Sequence, residues 1–219
     1  MTKQPRPTAT TKTNKRNDQT MYGAGALRFI QELNQIRDRV LATDALGKTL
    51  SLESVMTEVL GRMVSCCEKG NKLIFVGNGG SAAISSHQAV DYWKNGGLEA
   101  IAFNDASLLT CISNDFGYER VFAEPIRRFA KPGDCLLAIS SSGKSPNILK
   151  AVEAARSAGC DAITFSGFNA SNPLRSLGAM NFYVPSHSYG IVEITHLTLI
   201  HAMLESYMAS KSPSEKGGE

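Results

Sequence analysis

Five short apolar runs constrain this chain more than any other feature. "KLIFV" at 72–76 is followed by similar runs at 100–103, 135–139, 161–165 and 181–184. Each is too short to be a helix of its own and too continuously apolar to be a strand with one wet face. Helix-compatible stretches separate them at about 80–94, 119–129, 145–158 and 190–209. Apolar strands alternating with helices predict a parallel sheet covered on both faces and connected by right-handed crossovers. The expected fold class is α/β, a three-layer αβα sandwich around a five-stranded parallel sheet. Two helices precede it. Leu27, Ile30, Leu33, Ile36, Val40 and Leu41 recur at helical steps from Met21 to about residue 42, and a second amphipathic stretch runs from Ser51 to Gly70. No repeat or linker divides the chain, so one domain is expected over 21–210, with disordered tails at 1–20 and 211–219.

The charge of the chain is unevenly placed, and this bears on its partners. The net charge of +3 arises in residues 1–20, where Lys3, Arg6, Lys12, Lys15 and Arg16 face a single acid, Asp18. The remaining 18 basic and 19 acidic residues leave a folded part near neutrality, which argues against a nucleic-acid partner. No run approaches the ~20 apolar residues of a membrane span, and no apolar signal region opens the chain. Cys66, Cys67, Cys111, Cys135 and Cys160 lie within apolar segments without framework spacing. They read as reduced core residues of a cytoplasmic protein.

In a fold of this kind ligands gather at the carboxyl ends of the strands, where helix N-termini also point. Two loops fall there. Gly77-Asn78-Gly79-Gly80-Ser81 follows the first strand, and its glycines let backbone N–H groups approach an anion without Cβ obstruction. Neither the dinucleotide-binding pattern nor the P-loop pattern is met, and a tight turn capped by Ser81 is an equal reading of this loop alone. Ser140-Ser141-Ser142-Gly143-Lys144-Ser145 follows the third strand and offers more hydroxyls than helix capping requires. It suits a phosphate monoester on a small molecule. Behind the glycine loop, His87 and Asp91 stand four residues apart and meet on one helix face, able to share a metal.

These residues also resemble a known family. "GNGGSAAISSH", "SNDFGYERVF", "GDCLLAISSSGKSPNILKAVEAAR" and "EITHLTLIHAMLE" occur in the order found in sugar isomerase (SIS) domains, most closely those of bacterial phosphoheptose isomerases, over about residues 21–208. The resemblance implies a homotetramer with active sites at subunit contacts, one zinc per subunit, and interconversion of sedoheptulose 7-phosphate and D-glycero-D-manno-heptose 7-phosphate. Matched by position, it implies catalytic roles for Asp91 and His201 and metal ligation by His87, Asp91, Glu193 and His201. The phosphate loop falls on Ser140, Ser141, Ser142 and Ser145. Sugar contacts fall on Asn78, Gly79, Gly80, Ser81, Asn104 and Asp105, with Glu193 beside them.

The chemistry is simple to state. A base removes the proton from the carbon beside the carbonyl, an acid protonates the carbonyl oxygen, and the enediol collapses the other way. Four positions depart from the family pattern: Asp91 stands for glutamate, Glu193 for glutamine, Gly190 for aspartate and Asn95 for arginine. They keep open a second reading, a catalytically silent SIS protein that binds a sugar phosphate or a protein partner. Eight residues of ideal helix separate Glu193 from His201 by about 12 Å, so one metal joins them only if Glu193 precedes the regular helix or the ligands come from different subunits. His187 and His196 are expected to be structural, and Tyr92 and Trp93 to pack at a rim or subunit contact.

Overall fold

The computed structural model describes residues 11–211, with side chains from residue 21. The elements run α1 (Thr11–Ile36), β1 (Leu41–Asp44), β2 (Thr49–Leu50), α2 (Leu52–Glu68), β3 (Leu73–Gly77), α3 (Gly80–Lys94), β4 (Ala100–Ala102), α4 (Ala106–Phe116), α5 (Ala123–Phe129), β5 (Cys135–Ser140), α6 (Pro146–Ser157), β6 (Asp161–Gly167), β7 (Met180–Val184) and α7 (Tyr189–Lys211). The strands form one sheet in the order β2-β1-β7-β6-β5-β3-β4. All pairings from β7 to β4 are parallel.

The expected three layers are present, and the strands explain why. Leu73, Phe75, Cys135, Leu137, Ile139, Ile163 and Phe165 face a core shared with α1, α2, α3 and α7. Ile74, Val76, Leu136, Ala138 and Ala162 face a second core built with α5 and α6. Successive side chains of a strand point to opposite faces, so a strand between two helix layers is apolar at every position.

The sheet has seven strands, not five. β1 pairs antiparallel with both β7 and β2, forming a hairpin on the edge. The expected first helix through residue 42 instead ends at Ile36, and β1 takes over from Leu41. Ile36 and Val40 are both buried, so the helical spacing continues across the break and hides it. The hairpin turn is made by Asp44, whose Oδ1 accepts from the N–H groups of Leu46 and Lys48 at 2.9 Å, and by Gly47 at φ 77°. α1 begins at Thr11 and so overlaps the stretch 1–20 expected to be a tail. Residues 1–10 and 212–219 of the expected tails 1–20 and 211–219 lie outside the described residues. The helix α4 has no counterpart among the expected elements. No helix among the described residues is long and apolar enough to cross a membrane.

The topology places the site. From β3 the chain passes through α3 on one face to β4, whereas from β5 it passes through α6 on the other face to β6. The connections leaving the adjacent strands β3 and β5 therefore diverge, and a crevice opens at their carboxyl ends.

Candidate functional site

The crevice encloses about 230 Å³ and is lined by the two loops singled out in the sequence, together with Tyr189 and Glu193 of α7. On one side, β3 turns into α3 through glycines that the geometry demands. A Cβ on Gly77 would collide with the Ser81 carbonyl, and Gly79 sits at φ 54°. Asn78 does not point freely into the crevice. Its Oδ1 accepts from Asn147 Nδ2 at 2.8 Å and from the Tyr118 hydroxyl at 3.1 Å, and its Nδ2 donates to Asn147 Oδ1 at 2.9 Å.

On the other side is the serine loop. Ser140 Oγ accepts from the Gly143 N–H at 3.2 Å and lies 3.4 Å from Ser145 Oγ. Ser142 Oγ accepts from the Lys144 N–H at 3.3 Å. Ser145 occupies the N-cap of α6, yet its side chain caps no helix N–H. Ser141 Oγ is buried without a partner. A buried hydroxyl left unpaired costs about 1–3 kcal/mol, which an oxygen-rich ligand in the crevice would recover. With the positive end of α6 behind it, the loop suits an anion.

Further along α3 and α7 lies the His/Asp/His cluster. Asp91 Oδ2 is 3.3 Å from His87 Nε2 and 3.9 Å from His201 Nε2, and the imidazole centroids are 5.4 Å apart. One ligand atom from each residue falls within 4.8 Å of the others, the only such grouping among the described residues. Asp91 is the least exposed at 17%, with His201 at 34% and His87 at 57%, so the cluster opens outward through His87. Asn95 Nδ2 donates to Asp91 Oδ1 at 3.2 Å and ties the carboxylate from behind.

The fourth expected metal ligand is not in this cluster. Glu193 lies inside the regular helix α7, eight residues before His201, and the rise of a helix separates the two by about 12 Å. Its carboxylate lies over Gly80, where a Cβ would strike it, at the mouth of the crevice. Burial pushes the Glu193 carboxyl above its ordinary range. Crevice and cluster are nonetheless continuous. Gly80, His87 and Asp91 share one stripe of α3, and Glu193, Leu197 and His201 share one stripe of α7. His87 lies about 10 Å along the axis from Gly80, and His201 about 12 Å from Glu193, so one seam joins the two places.

The remaining expectations divide. Asn104 Nδ2 donates to the Ala82 carbonyl and to Ser86 Oγ, and Asp105 caps α4 by accepting from the Leu108 N–H at 3.0 Å. Neither lines the crevice. His187 stacks on Phe168, and His196 is fully buried, as structural residues. Tyr92 is in the core rather than at a rim, donating to the Ile200 carbonyl at 3.0 Å, and Cys111 is exposed rather than buried. Gly190 packs on Phe29, whose ring would stand 3.1 Å from a Cβ and would have to give by a few tenths of an ångström to admit an aspartate there. Tyr189, Tyr118 and Asn147 were not anticipated. A larger cavity, about 860 Å³, is an apolar groove between α2 and α7 away from both loops.

Comparison with known proteins points to one family. The SIS domain family matches residues 29–167. A phosphoheptose isomerase of Trichlorobacter lovleyi is 36% identical over 160 residues, 70% of this chain and 81% of that one. That of Pelobacter propionicus is 35% identical over 181 residues, 79% of this chain and 95% of its own. The structure of a phosphoheptose isomerase from Neisseria gonorrhoeae superposes with a TM-score of 0.70 at 28% identity, covering 88% of this chain and 98% of that one.

Proposed function

The chain belongs to the SIS domain family, and from that premise we propose that it is an aldose–ketose isomerase of a sugar phosphate, converting sedoheptulose 7-phosphate to D-glycero-D-manno-heptose 7-phosphate through an enediol. The observation that carries the reading is the single seam between α3 and α7, with a hydroxyl-rich anion crevice at one end and a carboxylate between two imidazoles at the other. An extended heptulose 7-phosphate reaches about 9 Å from its carbonyl carbon to its phosphorus, at about 1.25 Å of advance per bond of a zigzag chain. The seam spans about the same distance along the helices. With the phosphate in the crevice, the reacting carbons of a heptose come to Asp91 and His201, whereas those of a triose phosphate fall short.

In this mechanism Ser140, Ser141, Ser142 and Ser145, with the N-terminus of α6, hold the phosphate. The glycine loop, from Asn78 to Ser81, lies against the sugar. Asp91, held in place by Asn95, takes the proton from the carbon beside the carbonyl and delivers it to the former carbonyl carbon. His201 donates a proton to the carbonyl oxygen and takes one from the neighbouring hydroxyl as the enediol collapses. Two imidazole nitrogens and a carboxylate oxygen with an open side form a donor set that fits zinc. His87, Asp91 and His201 would hold the ion; an imidazole nitrogen bound to it has no proton to give, so with the ion in place its polarisation of the substrate's oxygens would stand in for the proton from His201. Glu193 joins such a site only from another subunit. A cytoplasmic homotetramer is part of the same reading, supported by the exposed apolar residues Met21, Tyr22, Leu27 and Ile30 on α1.

The test is incubation of the zinc-supplemented protein with sedoheptulose 7-phosphate, with detection of the aldose, alongside Asp91→Asn. The wild type should form the aldose, and the variant should lose it by ~100-fold or more while still binding the sugar phosphate, because an amide accepts no proton at neutral pH. A wild type that binds the sugar phosphate without turning it over would establish the silent-protein reading instead.

A further inference from the structure

The two ligand loops come from strands whose connections diverge, so something must fix their separation. The glycine loop is poor in side chains able to do this. Only Asn78 carries one of any length between Gly77 and Gly80, and it is spent on a reciprocal amide pair with Asn147. Asn147 lies in the first turn of α6, directly behind the serine loop, and is 2% exposed. Its Oδ1 accepts from Asn78 Nδ2 and from the Ile148 N–H at 3.1 Å, while its Nδ2 donates back to Asn78. The Tyr118 hydroxyl donates a second bond to Asn78 Oδ1, and the neighbouring Glu119 is ion-paired to Lys150 of α6. An amide oxygen has two lone pairs, so Asn78 Oδ1 is saturated and one Nδ2 hydrogen remains for a ligand.

We propose that Asn147 is a positioning residue for the bound sugar phosphate: through Asn78, with Tyr118 in support, it sets the distance across the crevice between the glycine loop and the serine loop. It touches no reacting atom. Its effect is on how well the phosphate and the sugar are held together, because a supporting shell that loosens lets the direct contacts drift from productive geometry. The proposal rests on the reading of the crevice as a sugar-phosphate site.

The experiment is a mutant cycle on the zinc-supplemented protein, comprising Asn78→Ala, Asn147→Ala, the double variant and Tyr118→Phe. The KM and kcat for sedoheptulose 7-phosphate and the inhibition constant of inorganic phosphate are read for each. Asn147→Ala should raise KM and the phosphate inhibition constant about 10-fold, the cost of opening a buried hydrogen-bonded pair, with a much smaller effect on kcat. Because Asn147 acts through Asn78, the double variant should be no worse than the poorer single one. Tyr118→Phe, isosteric and on the surface, should move both constants the same way by a few-fold. A purely structural role would lower the melting temperature and leave both constants of the folded enzyme unchanged, which would overturn the proposal. So would losses that multiply in the double variant, or a fall in kcat at constant KM. Should Asn147→Ala not fold, unchanged constants in Tyr118→Phe overturn it alone. A wild type that neither turns over the sugar nor binds inorganic phosphate defeats the reading of the crevice, and the proposal with it, a result distinct from an active enzyme with additive losses.

Discussion

Acid should destabilise this protein through a residue outside the proposed chemistry. His196 is fully buried in α7, with Nε2 3.1 Å from the Ser166 carbonyl, its ring edge-on to Phe165, and Nδ1 without a partner. Burial pushes its pKa down from the ordinary 6.5 to about 4, despite the Ser166 carbonyl favouring the charged form. The unfolded chain therefore binds a proton that the native protein refuses between those values. The stability that neutral His196 contributes is present in full above pH 6.5 and is lost as the pH falls towards 4. At about 1.4 kcal/mol per pKa unit the whole loss is on the order of 3 kcal/mol, a large part of the stability of an ordinary domain. Urea denaturation at pH 7.5, 6, 5 and 4.5, with chelator to remove metal linkage, measures it for the wild type and His196→Leu. Leucine removes the bond to the Ser166 carbonyl, but that cost does not change with pH. The wild type should lose up to about 3 kcal/mol more than the variant across the range. Two curves that stay parallel to within about 0.5 kcal/mol would refute the assignment of the acid sensitivity to this imidazole.

Gly143→Ala should damage the serine loop, because Gly143 sits at φ 61° and an added Cβ runs into Asn172. The left-handed backbone costs about 1–2 kcal/mol and disturbing the buried Asn172, which holds the Gly167 and Asn169 carbonyls, adds about 1–3 kcal/mol, so a stability within about 0.5 kcal/mol of wild type would show that the loop simply adapts. Leu27→Lys with Ile30→Lys, on the exposed stripe of α1, should lower the mass measured by light scattering from that of a tetramer. A wild type that is monomeric at micromolar concentration would refute the assembly outright.

How far the sequence foretold the fold follows from which surfaces each element buries. β3, β5, β6 and β7 are covered on both faces, and their uninterrupted apolar runs were legible for that reason. The β1–β2 hairpin is an edge of four and two residues, and Val40 and Leu41 extended the helical spacing of α1 without a visible break. α4 carries an apolar stripe of Leu108, Leu109 and Ile112, half-buried against the second core, but it extends over barely one turn, too short to establish a helical period. The loops were legible through their glycines and serines, whereas Asn147 was not, because an amide pair between residues 69 apart in sequence leaves no local spacing to read.

The candidate catalytic cluster shows the same division most sharply. His87 and Asp91 meet by helical arithmetic alone, but nothing local brings His201 to them. Its arrival depends on how α7 lies beside α3. Tyr92 donates to the Ile200 carbonyl at 3.0 Å, one residue on each helix from the Asp91–His201 contact. Just beyond the end of α3, a Cβ on Gly96 would stand 2.7 Å from Leu204 Cδ1, so only glycine admits that side chain. At the other end, the bare Gly80 accepts the Glu193 carboxylate. Three contacts along the seam thus fix the register of the two helices, and the same register that carries His201 to Asp91 draws Glu193 to the crevice and away from the cluster.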